Sequence, residues 1–325
     1  MARRELGPAA LQVARAVRSA LPARGAVVLG VSGGADSMAM AAGAAWALRA
    51  RGRCDDQGPS VVATIVDHGL QAGSAEVAAT VADRVRALGL AAEVIRVDVV
   101  PDGDGPEAAA RTARLGALRW RAADGVLLLG HTLDDQAETV LLGLARGSGT
   151  RSLAGMRPAG EGIIRPLLGL RRDLTRRACA EWGIEVWDDP HNAEDRFARV
   201  RVRRTVLPVL EAELGPGIVE ALARTAALAR ADADALDALA ATERTRLGER
   251  PDCAALAGMP EAISSRVVRG WLVDHGAVQP GAVHVGAVLG LVTRWRGQGA
   301  VQLPGLQVRR VADRLVAIGP SVPMP

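Results

Sequence analysis

The chain predicts an α/β protein: a mostly parallel sheet with helices on both faces, followed by a smaller, mainly helical domain. Three features of the sequence say so. From residue 26 to 145, short runs rich in valine and leucine alternate with segments of helical periodicity, the pattern of βαβ units. The first run leads through two adjacent glycines straight into a helix-favouring stretch, so the sheet opens with strand, tight loop and helix. Past the hinge-like string Leu214-Gly215-Pro216-Gly217, the alternation gives way to a long alanine-rich segment. A length of 325 residues allows two domains with ample core, and the hinge places them at 1–214 and 215–325.

In order along the chain, residues 2–21 faintly resemble a transit peptide, but Glu5 and the strand that follows at once favour an ordinary leading helix. Strands are expected at 27–31, 61–66, 92–99 and 126–129, with helices at 37–50, 75–88 and 107–122 between them. Val77, Val81, Val85 and Leu88 recur at helical spacing, and Gly89 is the stop. The glycine-rich stretch 147–162 reads as a mobile loop. Helices are expected again at 171–183 and 218–246, with a mixed segment running to Ala317. Such alternation gives a Rossmann-like sheet, whose ligands sit outside the carboxyl ends of the strands.

Composition narrows the classes. All 40 basic residues are arginine, and the wealth of Ala, Arg, Gly and Val suits a GC-rich codon bias. A net charge of +4 and a pI near 9.9 are compatible with a polyanionic partner, a signal that gains weight only where arginines cluster. Cys54, Cys179 and Cys253 lie far apart, which argues against a zinc or iron–sulfur site and a disulfide framework and suits a reducing cytosol. No apolar run approaches the ~18–20 residues of a membrane span.

Two strings carry chemistry. Ser32-Gly33-Gly34-Ala35-Asp36-Ser37 joins the first strand to its helix. A loop there aims backbone N–H groups into one concavity at the positive end of a helix dipole, a place for a phosphate chain. Glycines let the backbone approach the ligand, Ser32 and Ser37 offer hydroxyls, and Asp36 can hold a Mg²⁺ that bridges phosphate oxygens. It is no Walker A loop, because no Gly-Lys-Ser/Thr follows. The second string, Gly130-His131-Thr132-Leu133-Asp134-Asp135-Gln136-Ala137-Glu138-Thr139, leaves a strand and starts a helix. Thr132 and Asp135 have capping-box spacing, and Asp135 and Glu138 share the face opposite the apolar one. By spacing alone that is a solvated acidic face; opening at the same sheet edge as the glycine loop, it can line a cleft. Arg171, Arg172, Arg176 and Arg177 form one basic cluster, and Arg199, Arg201, Arg203 and Arg204 another. Each alone reads as solvated surface; as clusters they are candidates for phosphate contacts.

The Ser-Gly-Gly-x-Asp-Ser string resembles the PP-loop of the ATP pyrophosphatases. His131-Thr-Leu-Asp-Asp-Gln-Ala-Glu-Thr-Val with Arg146-Gly-Ser-Gly resembles the signature of the tRNA(Ile)-lysidine synthetases. Further matching pieces are Asp67-His-Gly-Leu, Glu107-Ala-Ala-Ala-Arg111, Arg165-Pro-Leu-Leu, Asp189-Pro-His-Asn192, Val206-Leu-Pro and Gln302-Leu-Pro-Gly. The likeness covers nearly the whole chain and is densest from 26 to 210. It departs at Trp120, where a Tyr is common, and in having no stretch long enough for the extra C-terminal domain of larger members, which bears on how the acceptor end of the tRNA is held.

The resemblance implies a cytoplasmic ligase that adenylates the wobble cytidine of the CAU-anticodon tRNA(Ile) at its C2 oxygen. Free L-lysine is then joined there through its ε-amine, and AMP and pyrophosphate are released. It implies ATP and Mg²⁺ as cofactors and no obligate protein partner, and it is compatible with a homodimer. Residues 32–37 are then the nucleotide loop with the metal on Asp36. Asp36, Arg111, His131, Asp135 and Glu138 form the catalytic set, with Asp135 and Glu138 holding lysine's amines and Arg111 opposing a phosphate or carboxylate. Asn192, Arg199 and Arg203 touch substrate. The chemistry agrees: presenting a lysine amine of pKa ~10.4 in neutral form at pH 7 costs roughly 4.6 kcal/mol, a cost that His131 or an acidic neighbour can lower. Rivals are a tRNA thiolase, which needs a sulfur-carrying and usually paired cysteine; a GMP or NAD synthetase, which would lack the 131–138 string; and an ATP sensor without turnover, which would lack the acidic helix and the arginine clusters.

Overall fold

The computed structural model describes residues 6–51, 58–69, 73–99, 106–147, 149–187 and 194–319, with the backbone alone at 106–108. Asn192, with the rest of Asp189-Pro190-His191-Asn192, lies outside the described residues, as do Cys54, Leu70 and Ser148. Two compact units divide the chain, Met1–Ala227 and Leu228–Pro325.

The first unit runs α1 (Pro8–Ala20), β1 (Ala26–Gly30), α2 (Ala35–Arg51), β2 (Ser60–Asp67), α3 (Ser74–Ala87), β3 (Ala91–Arg96), α4 (Pro106–Ala122), β4 (Val126–Leu129) and α5 (Leu133–Ala145). It continues with α6 (Thr150–Leu153), β5 (Ala159–Gly160), β6 (Ile163–Ile164), α7 (Arg172–Trp182), α8 (Ala198–Arg201), a π-helical turn (Val202–Val206) and α9 (Leu207–Leu214). The long α10 (Ile218–Leu247) crosses the division. The stretch expected to be a mobile loop at 147–162 therefore carries a helical turn and an edge strand: β5 pairs antiparallel with β6, and Gln136 ties the segment down through both Met156 N–H (2.8 Å) and Met156 C=O (3.1 Å).

The sheet order is β3-β2-β1-β4-β6-β5, parallel except for β5. Side chains alternate as a pleat requires. Val27, Leu29 and Leu128 enter the core shared with α1, α2, α3 and α7, while Val28 and Leu127 meet Leu118 and Ala122 of α4 on the other face. Helix α2 is buried almost all round, which its alanines and Gly43 permit: a Cβ on Gly43 would lie 3.0 Å from Val17 of α1. Glu181 of α7 accepts the N–H groups of Ala9 (3.3 Å) and Ala10 (2.7 Å), so a carboxylate from α7 caps the positive end of α1.

Strand order reverses at β1, whose neighbours are β2 on one side and β4 on the other. The crevice beyond the carboxyl ends of β1 and β4 is thus the place where this architecture holds ligands. Both chemical strings fall there, the loop 31–34 after β1 and residues 130–132 after β4.

The second unit packs α11 (Cys253–Ala257), α12 (Glu261–Asp274) and α13 (Ala282–Thr293) on an antiparallel meander of β7 (Val301–Leu303), β8 (Leu306–Val311) and β9 (Arg314–Ile318). Trp271 anchors its core, wholly buried with its indole N–H donating to Glu249 C=O at 2.9 Å. The β8–β9 turn places Ala312 and Asp313 at φ 47° and 59°, the geometry a tight hairpin demands.

Candidate active site

The glycine loop is closed on itself. Ser37 Oγ accepts the Ser32 N–H (3.1 Å) and donates to Gly34 C=O (3.0 Å), and Trp187 N–H donates to Gly33 C=O (2.9 Å). Gly33 has φ +87°, and a Cβ there would lie 2.6 Å from Val81 Cγ2. Gly130, at the end of β4, lets that strand pass the first turn of α2: its Cβ would stand 3.0 Å from Asp36 C=O. Gly33 is therefore set by its left-handed backbone and the Val81 side chain, and Gly130 by the close approach of backbone. Gly33→Ala is expected to cost about 1–3 kcal/mol through the left-handed backbone alone, read by urea unfolding, together with weaker nucleotide binding.

Helix α5 is capped as its sequence suggests: Thr132 N–H and Oγ1 both donate to Asp135 Oδ2 at 2.8 Å. Its acidic face is not solvated. Glu138 is fully buried and Asp135 is 13% exposed, and both are held by arginines. Arg172 of α7 reaches three carboxylates, with Nη2 on Asp135 Oδ1 (2.7 Å), Nη1 on Glu138 Oε1 (3.1 Å) and Nε on Asp36 Oδ2 (3.4 Å). Arg199 donates to Glu138 Oε2 (2.8 Å), and Arg203 forks onto both Glu138 oxygens (2.7 and 3.1 Å). Asp36 also accepts from Thr175 Oγ1. Asp134 on the same turn of α5 accepts the Arg172 N–H at 2.7 Å, which seats the start of α7 so that Arg172 points inward. The π-helical turn carries Arg203 to the same point, as such bulges often do at functional sites.

The charges tune one another. Burial pushes Asp135 up, but Arg172 and Arg199 more than offset it, and its carboxyl ends at about 2. Glu138 is likewise held below its ordinary value, against burial, chiefly by Arg203 and Arg172. Asp36 goes the other way: burial raises it more than Thr175 and Arg172 lower it. Beside the acids lies a cationic set. Arg111 is pushed down by burial and by Arg199 and Arg114, and Arg114 and Arg165 are also lowered, burial first.

His131 is driven to about 3 chiefly by burial, with Asp135 opposing the fall and Arg165, Arg111 and Arg199 adding to it. Its Nδ1 is buried with no hydrogen-bond partner among the described residues. The folded state thus refuses a proton that the unfolded chain takes below about 6.5. Stability contributed by the neutral ring is complete above that value and is lost as pH falls from about 6.5 toward 3. His131→Gln is expected to flatten this part of the stability–pH curve, measured by thermal melting between pH 7 and 4.

The structure brings residues 32–37, Arg111, His131, Asp135, Glu138, Arg199 and Arg203 to one end of the sheet. Residues that sequence reasoning passed over as individuals are Arg172, Thr175, Arg114 and Arg165. Arg172 was visible only as one of a cluster, which the structure separates. Arg171 pairs with Glu220 (2.8 Å), Arg177 with Asp173 (3.3 Å), and Arg172 turns into the acids. A cleft of about 150 Å³ opens beside Glu138, Arg172 and Arg203, walled by Asp134, Arg171 and Leu207. Among the described residues no three His, Cys, Asp or Glu side chains converge on one point as a ready metal cage. A Mg²⁺ held by Asp36 and phosphate oxygens needs no such cage, because this ion keeps several waters and takes one or two carboxylates.

Fold and loop define a nucleotide-binding class: residues 9–210 match the family model of the PP-loop domain, and residues 252–316 match the TilS substrate binding domain. The tRNA(Ile)-lysidine synthase of Salinispora tropica is 49% identical over 97% of this chain and 98% of its own length. That of Mycolicibacterium paratuberculosis is 53% identical over 85% and 84%. The chain belongs to the tRNA(Ile)-lysidine synthase family. Among solved structures, the U34-tRNA thiolase NcsA of Methanococcus maripaludis, with its [4Fe-4S] cluster, superposes with a TM-score of 0.55 at 17% identity, covering 67% of this chain and 78% of that one. That likeness is one of fold. In this chain Cys179 and Cys253 are both buried, and burial, with Asp36 nearby, lifts the Cys179 thiol to about 12, far from a reactive thiolate.

Proposed function

We infer that this protein is an ATP-dependent ligase that forms lysidine on tRNA(Ile), joining free lysine to C2 of the wobble cytidine in the CAU anticodon. One observation carries the reading beyond family membership: the acid cluster and the glycine loop are physically one site, joined by Arg172 at the switch point of the sheet.

Backbone amides of 32–37 and the N-terminus of α2 suit the nucleotide's phosphates. Asp36 would hold a Mg²⁺ ion, which would supply charge neutralisation of the nucleotide's phosphates. Arg111, Arg114 and Arg165 are desolvated cations with charge to spare for the α-phosphate under attack in the first step and for the AMP that leaves C2 in the second. In the second step the amine must lose a proton. A histidine held at about 3 is a weak acceptor for an ammonium, so His131 serves as a neutral hydrogen-bonding wall. The neighbouring arginines help by depressing the pKa of any ammonium brought among them. The unit matching the TilS substrate binding domain is assigned to tRNA contact, and an RNA substrate supports a cytoplasmic location.

Incubation with ATP, labelled lysine and tRNA(Ile) bearing CAU tests this. Label should enter the RNA, with AMP and pyrophosphate formed in step, and a transcript with a different wobble base should stay unlabelled. ATP turnover without label in RNA would point instead to a nucleotide-binding protein of another function.

A further inference from the structure

The three carboxylates of the cluster are not equally dependent on Arg172. Without it Glu138 keeps Arg199 and both prongs of Arg203. Asp135 keeps the Thr132 cap on Oδ2, with Arg203 3.7 Å from Oδ1 and the charge of Arg199 nearby, but no other close ion pair among the described residues. Asp36 keeps only the Thr175 hydroxyl, a neutral donor. Among the described residues Arg172 is thus the one cation ion-paired with both Asp36 and Asp135, and it sits where an incoming ammonium would have to go. Its side chain is 17% exposed, at the wall of the cleft.

We propose that Arg172 is the counter-cation of the Asp36–Asp135 pair, which must leave that pair before lysine's ammonium can enter, and that the nucleotide's phosphates draw it away. This rests on the lysine-ligase reading above. The charge balance explains the order. Asp36, Asp135 and Glu138 face Arg172, Arg199 and Arg203, so a further cation entering the closed cluster meets a site already neutral. Phosphates on the 32–37 loop give the guanidinium a second set of planar, bidentate acceptors near its Nε partner Asp36. Once it moves there, Asp135 Oδ1 and Asp36 are freed together. Asp135 Oδ1 then receives the ammonium and Asp36 turns to the nucleotide, while Glu138, still clamped by Arg199 and Arg203, holds the framework. Nucleotide and lysine are thereby coupled: the first ligand opens the place of the second.

Calorimetric binding of lysine, with and without a non-hydrolysable ATP analogue, reads this directly. Wild-type protein should bind lysine about tenfold more tightly or better with the analogue present, the effect of releasing one charge-assisted contact. Arg172→Met should bind lysine without nucleotide, lose that coupling, and bind the analogue about tenfold more weakly. Arg172→Lys, a cation without the planar fork, should fall between. Circular dichroism checks that the variants fold, and the wild-type coupling stands as a test if they do not. Equal lysine affinity with and without nucleotide in wild type overturns the proposal while leaving the ligase reading intact, as does weakened lysine binding in Arg172→Met. Lysine binding to neither protein under either condition removes the lysine reading and this inference with it.

Discussion

Glu138→Gln is expected to destabilise the first unit by about 3–5 kcal/mol, the scale for removing one partner from a buried charge cluster. The side chain is wholly buried and receives Arg172, Arg199 and Arg203. With its charge gone, Arg199 has only neutral acceptors left, Asp135 C=O at 3.3 Å and Thr139 Oγ1 at 3.2 Å. Arg203 keeps only the 3.7 Å approach to Asp135. Urea unfolding of the full chain measures this, and Arg203→Gln in the same background should restore part of the loss, because it removes a surplus cation. Wild-type stability in Glu138→Gln would mean that the cluster is solvated in solution.

Asp36→Asn has the opposite profile, a large effect on turnover and a small one on the fold. The carboxyl is raised by burial, so neutralising it relieves a desolvation penalty, and Thr175 Oγ1 can still donate to the amide oxygen. Turnover should fall by about 10²–10³, the scale for losing one preorganised electrostatic contact at a reacting centre, seen as pyrophosphate release. The free energy of unfolding should change by less than about 1 kcal/mol, because the amide keeps the Thr175 bond and the lost Arg172 contact is offset by the relieved desolvation. Pyrophosphate release at the wild-type rate would detach loop 32–37 from the chemistry.

Much of this was legible in the sequence because local rules governed it. The β-branched runs, the Ser-Gly-Gly-x-Asp-Ser loop and the Thr132–Asp135 capping pair each specify their own geometry, and the parallel order of β1, β2, β3 and β4 follows from the helices between them. Glycine content misleads for 147–162, because Gln136, from a different element, pins that segment by two hydrogen bonds. Arg172, Arg199 and Arg203 show a deeper limit. Periodicity tells which residues share a helix face but not what that face meets, so buried partners of Glu138 look the same in sequence as surface arginines such as Arg177. Asp134 is a similar case: it reads as one more acid in a capped helix, yet it fixes where α7 begins.

The central claim is that one cleft performs two separable steps, with Asp36 serving the first and Asp135 the second. Its most direct test is the lysine-free half-reaction: tRNA(Ile) bearing CAU and labelled ATP, with adenylated RNA trapped by rapid quench and then chased with lysine. Wild type should form the adenylated RNA without lysine and convert it on the chase. Asp135→Asn should form it and convert it only at roughly tenfold to hundredfold higher lysine, the loss of one charge-assisted contact, whereas Asp36→Asn should not accumulate it. Equal loss of the first step in both variants, with the lysine response of Asp135→Asn unchanged, would contradict the division and move the lysine site away from these carboxylates.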